Sequence, residues 1–244
     1  MLFKFSQKKI ILDCFTDKEY VLESAPIVSA MKHTPDWWKD LPVSYMENNH
    51  YPQGTMKNCI GFTNYYKHSF VLPIWSDLAI KITEDKNYFW QFSDQITLAS
   101  VHNTQKQATN LLNGFGHIKI DSPWFLKEKQ GIKFIWSHPT YNYENSNDVV
   151  SFPAIVDYKN QHGTNINLMV NLNNPKNILI PHGQPMAFIT PMTENKVEIV
   201  RHLVSTEEMN KIADAHTPIT FIKRYSESIK KKSKFKTCPF HRSK

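Results

Sequence analysis

Glycine is scarce in this chain, 7 of 244 residues. Phosphate cradles of the G-x-x-x-x-G-K-[ST] or G-x-G-x-x-G kind use glycine to bring backbone N–H groups against an anion, and neither pattern occurs. Cysteine is scarcer still. Cys14, Cys59 and Cys238 are too few and too scattered for a disulfide framework, which points to a reducing compartment. No apolar run approaches the roughly 20 residues that a membrane helix requires. The opening MLFKFSQKKIILDCF has neither the continuous apolar stretch nor the small-residue cleavage site of a secretory leader. There is no G-x-S-x-G elbow for a nucleophilic serine. The eleven histidines include no His-x-His or His-x-Asp pair, the spacing that sets two metal ligands on one face of a strand. Cys238-x-x-His241 offers two ligands where a structural zinc site needs four. No motif requires a cofactor or a metal, and the catalytic residues, if there are any, carry no signature.

What is present is a large apolar and aromatic fraction, 41% hydrophobic and 13% aromatic. That is enough to bury a core and excludes a disordered chain. The net charge of +7 is unevenly placed. Residues 223–244 hold nine basic residues against the single acid Glu227, a net of +8, which leaves −1 for the rest. A neutral body with a basic tail attracts polyanions, nucleic acid included, by counterion release and without reading sequence. Lys230, Lys231, Lys232, Lys234 and Lys236 are the candidate contacts, with Phe235 and Phe240 interleaved as stacking surfaces or as anchors to the body.

Short β-prone segments dominate the rest. Ile10, Ile11, Leu12 and Phe15 predict a strand after a similar start at Leu2, Phe3 and Phe5. DLAIKIT alternates Leu78, Ile80 and Ile82 as a half-buried strand does. From HIKI to KVEIVRHLV, apolar segments recur about every 8–12 residues between Gly, Pro, Asn and Asp, the pattern of a sandwich or barrel. Pro153 within VVSFPAIVDY predicts an edge strand or a bulge. Helices are short. Thr34, Pro35 and Asp36 read as N-cap, first position and dipole partner of a helix carrying Trp37 and Trp38 and stopped by Pro42. Two adjacent tryptophans on so short a helix cannot both face one core; one packs, and the other covers a neighbouring surface or a partner. Met56, Cys59, Phe62 and Tyr66 predict one amphipathic helix with Cys59 as a packed thiol. Ser205 and Glu208 form a capping box, and Thr217–Pro218 opens a second C-terminal helix. The expected fold is mainly β, a sandwich or jelly roll or a β-clip-like barrel, with short N-terminal helices and two C-terminal helices. Its parts are a β-rich domain over 1–204, a helical pair over 205–229 and a basic tail over 230–244.

Three stretches read together carry a resemblance: TPDWWKDLP; TMKNCIGFTNYYKHSFVLPIWSDLAI; and SPWFLKEKQGIKFIWSHP, followed by FPAIVDY and ILIPHGQPMAFITPM. In order and spacing, over about residues 25–195, they resemble an uncharacterised family common in tailed phages of marine bacteria. The resemblance implies a phage-type, mainly β protein of the virion or the host cytoplasm, and no particular activity. His102 and Gln105 resemble a motif of that family. More faintly, AIVDYKNQHGTNINLMVNL with ILIPHGQPMAFI is similar to the closing strands of dUTPase-like β-clip enzymes, with Asp157 at the acid and Gly183 and Ala187 at the turn. Ala154 and Phe188 depart from that pattern and its S-G-L-A phosphate motif is missing.

His102, Gln105, Asp157 and His182 are therefore the candidate pocket residues, and Trp37, Trp38 and the tail lysines the candidate partner contacts. Asp157 reads as a base, a ligand contact or the cap of a strand end. The sequence favours a binding or assembly protein that associates with itself, another protein or a polyanion. The alternative is an enzyme on the same scaffold acting on a nucleotide or sugar.

Overall fold

The computed structural model describes residues 9–46, 51–94, 99–101, 113–143 and 148–214. The segments at Leu2–Phe5, His102, Gln105, the helix predicted after Thr217 and the tail lysines lie outside them. Among the described residues seventeen strands follow one another: β1 (Ile10–Thr16), β2 (Val28–Ser29), β3 (Ser44–Tyr45), β4 (Gln53–Gly54), β5 (Phe70–Pro73), β6 (Leu78–Ile82), β7 (Tyr88–Phe92), β8 (Ala99–Val101), β9 (Phe115–Ile120), β10 (Phe125–Glu128), β11 (Phe134–Ser137), β12 (Val149–Ser151), β13 (Ala154–Val156), β14 (Ile166–Asn171), β15 (Asn177–Ile180), β16 (Pro185–Pro191) and β17 (Val197–Leu203). Among the described residues the α-helices are α1 (Glu19–Ser24), α2 (Asp36–Asp40), α3 (Ile60–Lys67) and α4 (Thr206–Asp214).

The protein is mainly β, built from several sheets, and among the described residues none closes into a barrel. The sheets run β10-β1-β17, β13-β11-β16-β5-β2, β12-β14-β9-β8 and β15-β6-β7, with the ribbon β3-β4 apart. Among the described residues all pairings are antiparallel except β1 with β17. One core gathers side chains from all four larger sheets, among them Leu12, Ile80, Ile118, Trp124, Phe134, Leu168 and Ile189. Period-two alternation places them. In β6, Leu78, Ile80 and Ile82 are buried while Ala79 and Lys81 face out. Strand β16 is buried over five consecutive residues because it lies mid-sheet and is covered on both faces.

The second covering layer is aromatic. Ala30, Phe62, Tyr66, Val71 and Phe188 form a separate cluster, with Trp38 and Tyr65 packed against it. Through Phe62 and Tyr66, one helical turn apart, α3 lies on the outer face of the five-stranded sheet.

Local readings of the sequence need three corrections. Thr34 does not cap α2. Its hydroxyl donates to Met31 O at 3.3 Å, closing the preceding 3₁₀ turn, and Pro35 holds the N-cap position with its carbonyl accepting from the N–H groups of Trp38 and Lys39. Residues 56–69 are not one helix. A 3₁₀ turn at Met56–Asn58 comes first, then Cys59 stands exposed as the N-cap of α3, its Sγ accepting from Phe62 N at 3.4 Å. The Cys59 thiol is therefore a cap on the surface and not a packed core group. Pro153 does more than make an edge. It divides the predicted strand into β12 and β13, edge strands of two different sheets.

The capping box at α4 is present. Ser205 Oγ accepts from Glu208 N at 3.2 Å, and Glu208 Oε2 accepts from Ser205 N at 3.1 Å. No helix among the described residues is long and apolar enough to cross a membrane.

Candidate binding cleft

A cleft of about 690 Å³ opens between the segment Lys32–Lys39, the turn Tyr141–Tyr143 and the turn His182–Pro185. The aromatic layer fixes its first wall. Trp38 stacks on Phe62 (centroids 5.4 Å apart, planes at 24°), donates its indole N–H to Met56 O at 3.1 Å, and carries the Lys57 ammonium 4.7 Å above its ring. Lys57 also donates to the carbonyls of Trp38 and Lys39 at the negative end of α2. Trp37 meets Phe62 edge-on at 5.6 Å. The two tryptophans thus clasp one phenylalanine, Trp38 half-buried and Trp37 left 42% exposed.

The second wall is held by a hydrogen-bond net. Trp37 Nε1 donates to Tyr141 O at 3.1 Å. Asn142 donates to His33 O at 2.6 Å and accepts from Tyr66 Oη at 2.9 Å. Gln184 Nε2 donates to Asn142 O at 2.7 Å, and Tyr143 Oη to Pro185 O at 2.9 Å. These contacts tie three distant stretches of chain into one preformed concavity.

The third wall carries His182. Its backbone N–H donates to Asp77 Oδ1 at 2.7 Å, and Gly183 follows in the left-handed region at φ +81°. His182 Nε2 lies 3.1 Å from Ser24 Oγ, whose single proton goes to Tyr20 O at 2.6 Å. Ser24 therefore accepts, and the His182 ring carries its proton on Nε2.

The cleft is mildly positive. Lys39 is paired with Asp36 at 2.7 Å, and Lys32 on the rim has no such partner among the described residues. Burial, then the charges of Lys32 and Lys39, push the pKa of His33 down, so that imidazole is neutral at pH 7. Among the described residues Asp36 is the one carboxylate in the lining, bound to Lys39, and no serine or cysteine lines the cleft.

No known family model matches this chain, and no curated protein matches it.

Of the residues singled out in the sequence, the cleft brings together Trp37 and His182. Trp38 supports it from behind. Asp157 is not part of it. Both of its carboxylate oxygens serve its own turn, Oδ1 accepting from Lys159 N at 3.0 Å and Oδ2 from Asn160 Nδ2 at 2.9 Å, so it caps the end of β13. His102, Gln105 and the tail lysines Lys230, Lys231, Lys232, Lys234 and Lys236 lie outside the described residues. Among the described residues no group of three or more His, Cys, Asp or Glu side chains lies close enough together to hold a metal ion. The sequence reading missed Lys32, His33, Tyr141, Asn142 and Gln184. The Tyr-Asn-Tyr run at 141–143 was the available signal, a cluster of rings with polar ends outside any strand pattern.

Proposed function

We propose that the protein is a phage-type binding or assembly protein that acts without catalysis, and that the cleft is its recognition surface. The observation that carries this reading is the Trp37–Tyr141 pair. Trp37 has its one polar atom satisfied within the protein, so what it offers outside is ring face. Tyr141 stands beside it, 43% exposed, with centroids 6.2 Å apart. Large aromatics fixed in a rigid frame and left uncovered are the residue types that carry interface energy. Lys32 on the same rim, and the basic tail, fit an anionic partner with flat rings. Single-stranded nucleic acid has that chemistry.

The sandwich reading belongs to the same proposal. Layered antiparallel sheets meeting in one core, and a chain that passes from one sheet to another at Pro153, support a jelly-roll type, with a β-clip as its alternative. The reading places the protein in the virion or the host cytoplasm.

The test is fluorescence anisotropy with a labelled oligothymidylate and an abasic oligomer of equal charge. The W37A/Y141A double variant is expected to weaken oligothymidylate binding about tenfold or more, the worth of one or two stacked bases, and to leave the abasic oligomer unaffected. Equal affinity for the two oligomers, or indifference to the double substitution, would refute the reading. The second reading, an enzyme acting on a nucleotide or sugar, draws on His33 and His182 sharing the cleft. Turnover in a nucleotide and sugar panel, abolished in H182A, would favour it.

A further inference from the structure

Strand β17 ends its sheet. In the order β10-β1-β17, all seven of its residues pair in parallel with β1, from Ile10 with Val197 to Thr16 with Leu203, without a break in register. Among the described residues no strand lies on its other side. Two flanking hydrogen bonds fix which backbone groups point that way. Ile10 N donates to Lys196 O, and Val204 N donates to Thr16 O, each at 3.0 Å. In a parallel ladder the N–H and C=O of one residue point to the same side, and successive residues alternate. The even-numbered residues therefore face β1. Val197, Ile199, Arg201 and Leu203 present their N–H and C=O groups outward.

A strand of this kind is a template for pairing, and edges are ordinarily blunted by proline, an inward charge, a bulge or brevity. The sequence VEIVRHL has no proline and no lysine, its register is unbroken, and four of its seven residues are apolar. Val200 is 38% and Leu203 49% exposed. The strand is also self-complementary. Antiparallel pairing about a twofold axis through Val200 sets Val197 opposite Leu203 and Ile199 opposite Arg201, all four being residues whose backbone groups point outward. The same register sets Glu198 opposite His202 and Val200 opposite itself, in the closer, non-hydrogen-bonded positions. No like charges are directly opposed in this register: Glu198 keeps its bridges to Lys9 and Lys196, His202 its contact with Asp13, and Val200 meets its own mate.

We propose that β17 is an interaction surface whose partner is a second copy of this chain, joined by antiparallel pairing of the two β17 strands into one continuous six-stranded sheet. The inference deepens the assembly half of the function proposed above, but it uses no residue of the cleft, so either can fail while the other stands.

Light scattering and sedimentation of the full chain test it. The expected mass is twice 28.5 kDa. R201P removes an outward N–H and leaves the ladder to β1 untouched, so it is expected to weaken dimerisation at least tenfold with the thermal transition of the fold retained. V200C, in a chain with Cys59 and Cys238 replaced by serine, is expected to cross-link two copies on oxidation, because the twofold axis brings residue 200 against its own mate. A monomer at every concentration would overturn the proposal. So would a dimer that R201P leaves unchanged, or a failure of V200C to cross-link.

Discussion

His138 is held as a neutral ring. Its Nδ1 accepts from Ser151 N at 3.1 Å, so the ring proton sits on Nε2, which is buried and finds no partner among the described residues. The ring also lies 4.9 Å from that of Tyr143. Burial lowers its pKa to about 4. The folded state then takes up this proton later than the unfolded chain does as pH falls. Stability is full above the ordinary histidine value of 6.5 and is lost progressively as pH drops from there to about 4. Allowing for the ring's partial exposure, the loss is on the order of 2 kcal/mol. Urea titrations at pH 7 and pH 4.5 are expected to show that difference in the native chain and a smaller one in H138Q, which keeps a polar group there without titrating. An equal pH dependence in both would contradict the assignment. Glu128 is the second buried group of note. Its carboxylate accepts from the backbone N–H groups of Gln130, Gly131 (2.6 Å) and Ile132 (3.0 Å), closing a turn in which Gly131 has φ +79°. E128A would strand three donors and is expected to cost about 3 kcal/mol in the same assay.

At the scale of elements, β7 and β9 are locked by one close approach. Tyr88 Oη accepts from His117 N at 3.2 Å and donates to His117 O at 3.3 Å, and a Cβ on Gly116 would stand 2.6 Å from the Tyr88 ring. G116A is expected to lower stability by about 2 kcal/mol, read as a fall in thermal midpoint, because a ring fixed at both ends cannot yield. Gly116 carried no mark in the sequence, since the contact that requires glycine lies 28 residues away in another strand. Alternating strands such as β6 were legible because burial on one face writes itself into every second residue. So was the α4 cap, whose two partners are three residues apart. The break at Cys59 was not legible. Its spacing from Phe62 suits an amphipathic helix, and only the preceding 3₁₀ turn assigns it to the cap. Half of the cleft was missed for the same reason. Trp37 announces itself as an exposed tryptophan on a clipped helix. His33, Asn142 and Gln184 become cleft residues only when hydrogen bonds join segments more than 40 residues apart.

For the whole molecule, the cleft rests on packed layers and not on a loose appendage: Tyr143 packs against the core drawn from four sheets, and Trp38 against the aromatic cluster on the five-stranded sheet. The basic tail is expected to add affinity without shape. Deleting residues 230–244 should leave the thermal transition in place, lower the affinity for heparin, and flatten its dependence on salt. An unchanged salt slope would remove the tail from the interaction. The central claim, that Trp37 offers its ring to a partner in the cleft, is tested most directly at the six tryptophan indole N–H signals in an NMR titration with oligothymidylate. The Trp37 signal should move and saturate, while those of Trp124 and Trp136, both buried in the core, stay in place. A titration in which Trp37 stays fixed, or in which the core signals move equally, would contradict the account.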